Sequence, residues 1–163
     1  TWQAFVQIRL RYYEDLLADP SILRNNQWAH SVDILLRAHQ NTVPTGLATM
    51  SHRPQVNKVL SILDIRDRFN FIATRDDVEQ GKPDPEIYRL VADEMGIAPE
   101  QFLVLEDSPS GVQAAIAAGM TVIAIPTPFT REHLHAMDIL KPEQLVDDPT
   151  NLLDTIHKFT NLI

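Results

Sequence analysis

The chain has no cysteine, so a disulfide framework, a thiolate nucleophile and a cysteine zinc site are all excluded, and the expected setting is a reducing cytoplasm. It is also short of positive charge. Lys plus Arg number 14 against 22 Asp plus Glu, for a formal net charge of -8. Such a field repels a polyphosphate backbone, which argues against nucleic acid as a partner. No apolar run approaches the roughly 18 residues that a membrane span needs, so no membrane partner is expected. There is no signal-peptide pattern either, although the sequence opens on Thr1 rather than Met.

What is present is a core. Over 163 residues, 44% are hydrophobic, enough to build a compact soluble fold. Residues 1–18 carry Phe5, Val6, Ile8, Leu10, Tyr13, Leu16 and Leu17 largely at helical spacing and predict an amphipathic helix stopped near Asp19 and Pro20. Its Arg9 and Arg11 are expected to reach into water. A second helix is expected from Trp28 to His39. From Val43 the pattern changes to strand, polar turn, helix. Apolar strands are expected over residues 43–50, 69–74, 101–105 and 121–125, with a further short one at Gln144–Val146. Between and after them lie predicted helices at Pro54–Leu63, Glu86–Met95, Val112–Ala118, Arg131–Met137 and Pro149–Phe159. Alternation of this kind predicts an α/β fold, a Rossmann-like parallel sheet flanked by helices. In such sheets ligands lie outside the carboxyl ends of the strands.

Three polar clusters follow those strand ends. Thr49 and Ser51 supply hydroxyls, although Ser51 also reads as the N-cap of the next helix. Lys82 lies in GKPDP and, taken alone, could be a solvated turn residue. Glu106 and Asp107 end an apolar run. Charge complementing a helix N-terminus accounts for acids there, but not for two of them abutting a buried strand. A hard divalent cation does. Together the clusters supply a hydroxyl and an ammonium for phosphate oxygens and carboxylates for a magnesium ion, the parts that phosphoryl transfer requires.

The segments GLATMS, GKPDPEIY and LVLEDSPSGVQAAIAAGM resemble the second, third and fourth motifs of the haloacid dehalogenase superfamily, and within it the phosphatase and beta-phosphoglucomutase branch. The likeness runs over about residues 43–147. It implies that Thr49 binds phosphate, that Lys82 is the motif-three lysine and that Glu106 and Asp107 secure Mg2+. Ser51, His52 and Arg53 follow the phosphate-binding hydroxyl and are further substrate-binding candidates. The sequence departs from the family in one respect: members begin with a strand ending in DxDxT, whose first aspartate is the nucleophile, and these 163 residues contain no DxDxT. Asp76 with Asp77 and Asp147 with Asp148 read as solvated loop charge. The resemblance implies that residues 1–40 are the C-terminal part of a helical cap and 41–163 a core without its first strand, the nucleophile lying upstream. On that reading the parent protein is a magnesium-dependent phosphatase of a small phosphorylated metabolite, and the chain alone is inactive. A phosphomutase of similar design and a non-catalytic module with the same fold are the alternatives.

Overall fold

The structure, a computed structural model, describes residues 17–25, 27 and 29–160. The expected helix over residues 1–18 lies almost wholly outside the described residues. Ahead of the first strand the described residues include α1, Pro20–Asn25, and α2, Ala29–Gln40. The sequence reading missed α1, which starts where Asp19 accepts the Ser21 N–H at 2.9 Å, an N-terminal cap that the proline beside it obscured.

The remainder alternates as expected: β1 (Gly46–Ala48), α3 (Arg53–Leu63), β2 (Phe71–Ala73), α4 (Glu86–Met95), β3 (Leu103–Glu106), α5 (Pro109–Ala117), β4 (Thr121–Ala124), α6 (Arg131–His135) and α7 (Leu152–Phe159). All strand pairings are parallel. β1 pairs with β2, Gly46 opposite Phe71, and β3 with β4, Leu103 opposite Thr121. Among the described residues these are two separate two-stranded pairs, not one sheet. The strand expected at Gln144–Val146 reduces to a single parallel bridge between Ala124 and Leu145. Pro142 cannot donate to a ladder and opens a 3-10 turn just before it.

Local sequence explains the helix limits. α4 buries Ile87, Tyr88, Val91 and Ala92 on one face and ends at Gly96, whose φ of 63° suits a residue without a side chain. α5 begins with Ser108 as N-cap, its hydroxyl accepting the Gly111 N–H at 3.1 Å, and Pro109 in the first turn. α3 differs from expectation: it starts at Arg53 with His52 at the N-cap and no side-chain cap bond, so Ser51 is not its cap. The main core gathers α4, α5 and β4 around Ile87, Val91, Val112, Ala115 and Val122. No helix among the described residues is long and apolar enough to cross a membrane.

Candidate active site at the carboxyl ends of β1 and β3

Thr49 follows the last residue of β1, Lys82 lies in the loop between β2 and α4, Glu106 ends β3 and Asp107 follows it. The strand-end expectation therefore holds for all four positions. Lys82 gathers them. Its ammonium donates to the Ala48 carbonyl at 3.2 Å, to the Tyr88 hydroxyl at 3.0 Å and to Glu106 Oε1. One side chain thus ties the end of β1 to the end of β3. The Lys82–Pro83 peptide bond is cis.

The Lys82–Glu106 ion pair is buried, with side chains 8% and 7% exposed. Such a pair is tolerable only if the remaining polar positions are satisfied, and here they are. Glu106 Oε1 also accepts from Tyr88 Oη at 2.7 Å. Oε2 accepts the Asp107 N–H at 3.1 Å, the Ser108 N–H at 3.1 Å and the Ser108 hydroxyl at 3.0 Å. Burial alone would raise the Glu106 pKa, but the Lys82 charge and hydrogen bonds from Lys82, Tyr88 and Ser108 outweigh it and hold it below the ordinary glutamate value. Burial and then the Glu106 charge push the Tyr88 phenol far above its usual value, so it is a permanent donor. Ser108 serves twice, as cap of α5 and as donor to Glu106.

The packing leaves this carboxylate no room. A Cβ added at Gly111 would fall on the Glu106 carboxyl group itself, which five donors pin in place. Gly111→Ala is therefore expected to destabilise the fold by about 1–3 kcal/mol or more, read as a lower urea midpoint with an unchanged slope. A midpoint equal to wild type would contradict this account of the Glu106 pocket.

Asp107 stands apart from this network. It is exposed and forms no ion pair among the described residues. Partial burial of its carboxyl, and next the neighbouring Glu106 charge, raise its pKa. A carboxylate held at a strand end with no ion pair of its own among the described residues is suited to a cation. Magnesium keeps several waters and takes one or two protein carboxylates together with substrate phosphate, so Asp107 fits such an ion as one oxygen ligand. Glu106, with both oxygens engaged, fits less well. Among the described residues no group of three or more acids or histidines is placed to hold a metal ion.

The remaining candidates lie on and beside the turn after β1. The Thr49 hydroxyl accepts the Ser51 N–H at 3.2 Å and shapes the turn after β1. His52 and Arg53 are drawn to the acidic turn after β2: His52 Nδ1 pairs with Asp76, whose other oxygen accepts the Arg53 N–H at 2.8 Å. The Arg53 guanidinium pairs with Asp77 and donates to the Ile72 carbonyl. Asp77 also accepts from the Thr74 N–H and hydroxyl at 2.7 Å each. Asp76 and Asp77 are exposed turn charge as expected, and they also tie down the turn after β1. Asp147 and Asp148 are likewise exposed and likewise partnered. Asp147 pairs with Arg131 and His135, and Asp148 caps the turn at Thr150. Two contributors escaped the sequence reading, Tyr88 and the capping role of Ser108. The first looked like one more apolar position on α4. The second was signalled by Ser-Pro ahead of a helix-favouring run.

Comparison with known proteins gives the family. Residues 5–119 match the family of haloacid dehalogenase-like hydrolases. The phosphoglycolate phosphatase of Escherichia coli (strain K12) is 32% identical over 146 residues, covering 90% of this chain and 56% of that protein. The validoxylamine A 7'-phosphate phosphatase of Streptomyces hygroscopicus subsp. limoneus is 33% identical over 110 residues, 68% of this chain and 52% of that protein. The chain therefore spans about half the length of these curated relatives. Among solved structures, CbbY from Rhodobacter sphaeroides in complex with xylulose-(1,5)bisphosphate aligns with a TM-score of 0.74 at 27% identity, covering 90% of this chain and 65% of that one. Strand-end chemistry, α/β topology and these matches converge: the chain belongs to the haloacid dehalogenase-like hydrolase family.

Proposed function

We propose that the protein carrying this chain is a magnesium-dependent phosphatase of small phosphorylated metabolites. The observation that supports it most is the junction at Lys82, which sets a buried, charge-balanced ammonium between the ends of β1 and β3, next to the unpaired carboxylate of Asp107. In this reading Thr49 and Lys82 hold phosphoryl oxygens and Asp107 contributes to the magnesium shell. Bound magnesium would offset charge on the transferring group. Glu106 keeps the lysine in place. The nucleophile is an aspartate outside these 163 residues, attacking phosphorus and displacing the substrate alcohol to give an aspartyl phosphate, from which water then releases inorganic phosphate. Support for a missing central element comes from the strands themselves. β1 pairs only with β2 and β3 only with β4 among the described residues, while Lys82 draws the ends of β1 and β3 together. A parallel strand between them would carry its last residues to Lys82 and Asp107.

The relatives act on different phosphate esters, so the substrate class is proposed only as a phosphorylated metabolite. The test is hydrolysis of an aryl phosphate by the full-length protein, with and without magnesium. Turnover that requires the metal is expected, and turnover undiminished by chelator would overturn the assignment.

A further inference from the structure

We propose that the Tyr88 hydroxyl is a positioning group for Lys82, holding the ammonium's third N–H until a phosphoryl oxygen takes it; this deepens the phosphatase reading and rests on it. An ammonium has three N–H donors and no acceptor, and this one spends all three on the protein: Ala48 O at 3.2 Å, Tyr88 Oη at 3.0 Å and Glu106 Oε1. Proton directions in the Lys82–Tyr88–Glu106 triangle are therefore fixed. Lysine cannot accept and the carboxylate cannot donate, so the phenol receives from Lys82 and gives its own proton to Glu106 at 2.7 Å. The Tyr88 ring also lies beneath the ammonium, 4.7 Å from Nζ to centroid, and adds cation–π attraction.

A phosphoryl oxygen can reach Lys82 only by replacing one of these acceptors. The Glu106 bond is charge-assisted and is the strongest. Tyr88 is a neutral oxygen that keeps its own bond to Glu106 after the lysine proton turns away, so its release leaves no buried polar atom unpaired. Losing Ala48 would instead strip a carbonyl at the end of β1. Tyr88 is thus the acceptor that can be exchanged, and until exchange it keeps Nζ from swinging out of register.

Tyr88→Phe preserves ring, volume and the attraction of the ring for the cation, and deletes only the oxygen. Two measurements on the full-length protein test it. Without substrate, the Lys82 ammonium protons, followed by NMR, are expected to exchange with water several-fold faster in the variant. With an aryl phosphate and magnesium, kcat is expected to fall by about ten- to a hundredfold, with KM altered less than about twofold. Unchanged Lys82 exchange overturns the assignment, as does kcat within about twofold of wild type. Faster exchange in a protein whose wild type never hydrolyses phosphate esters would sink the phosphatase reading while leaving the Tyr88–Lys82 linkage standing.

Discussion

Lys82→Met is expected to lower stability by about 3–5 kcal/mol at neutral pH, the cost of breaking a buried ion pair from one side. The substitution keeps an unbranched side chain of similar length, so packing changes little. What changes is charge: Glu106 stays buried with only Tyr88, Ser108 and one backbone N–H to stabilise its negative charge. The reverse substitution is informative as a pair. In Lys82→Met/Glu106→Gln both charges are gone, and most of the loss should be recovered, giving a coupling of several kcal/mol in a double-mutant cycle. The pH dependence should also change sign. In the wild type the Glu106 pKa is held down, so its contribution is present above the unfolded-state value and is lost as pH falls through the folded one. Without Lys82 burial dominates, the folded pKa rises, and the single variant should gain stability relative to wild type on acidification. Denaturant titrations at pH 7 and pH 5 read both effects. A loss below about 1 kcal/mol at pH 7 would show that the ion pair does not organise this end of the fold.

That pair also marks the limit of what the sequence could tell. Strand and helix order was legible because periodicity and breakers agree: α4 was predicted at Glu86–Met95, and Gly96 ends it as expected. Lys82, Glu106 and Asp107 were legible as strand-end residues in recognisable motifs. Which atoms they touch was not. Tyr88 sits six residues beyond Lys82 on the buried face of an amphipathic helix, where nothing in the sequence separates a hydrogen-bonding phenol from a packing ring. The metal-site reading treated Glu106 and Asp107 as equivalent. Only the fold reveals that one carboxylate is enclosed by five donors and that the other forms no ion pair among the described residues.

Asp76 and Asp77 illustrate a different limit. Their partners, His52 and Arg53, lie 23 or 24 residues away, and the contact exists because β1 and β2 are parallel neighbours whose trailing turns meet. Parallel register places such turns side by side, but it can be read only after the pairing is known. The same holds for the edges of β1 and β3 left unpaired among the described residues, since sequence patterning marks strands and not their neighbours.

Asp107→Asn should separate stability from function in opposite directions. For an acid whose folded pKa lies above its unfolded value, the native state binds the extra proton. Its destabilising effect is therefore complete above the folded pKa and is relieved as pH falls through that value. Asp107 has this raised pKa, from burial and the neighbouring Glu106. Asparagine keeps the shape without the charge, so the melting temperature at pH 7.5 should match or exceed that of wild type, and the difference should fade on acidification. Catalysis should move the other way. If Asp107 helps to hold magnesium beside the transferring phosphoryl group, its loss removes several kcal/mol of charge stabilisation, and metal-dependent turnover should fall by roughly a thousandfold. Magnesium affinity of the wild type should weaken as pH drops through the raised Asp107 pKa, above the usual aspartate range, because the ion binds the carboxylate and not the acid. Melting curves with and without magnesium decide between the alternatives, since a bound ion stabilises wild type by mass action and should do so far less for the variant. Equal magnesium stabilisation of both proteins, or full turnover in Asp107→Asn, would place the metal elsewhere and leave Asp107 a surface acid beside a buried ion pair.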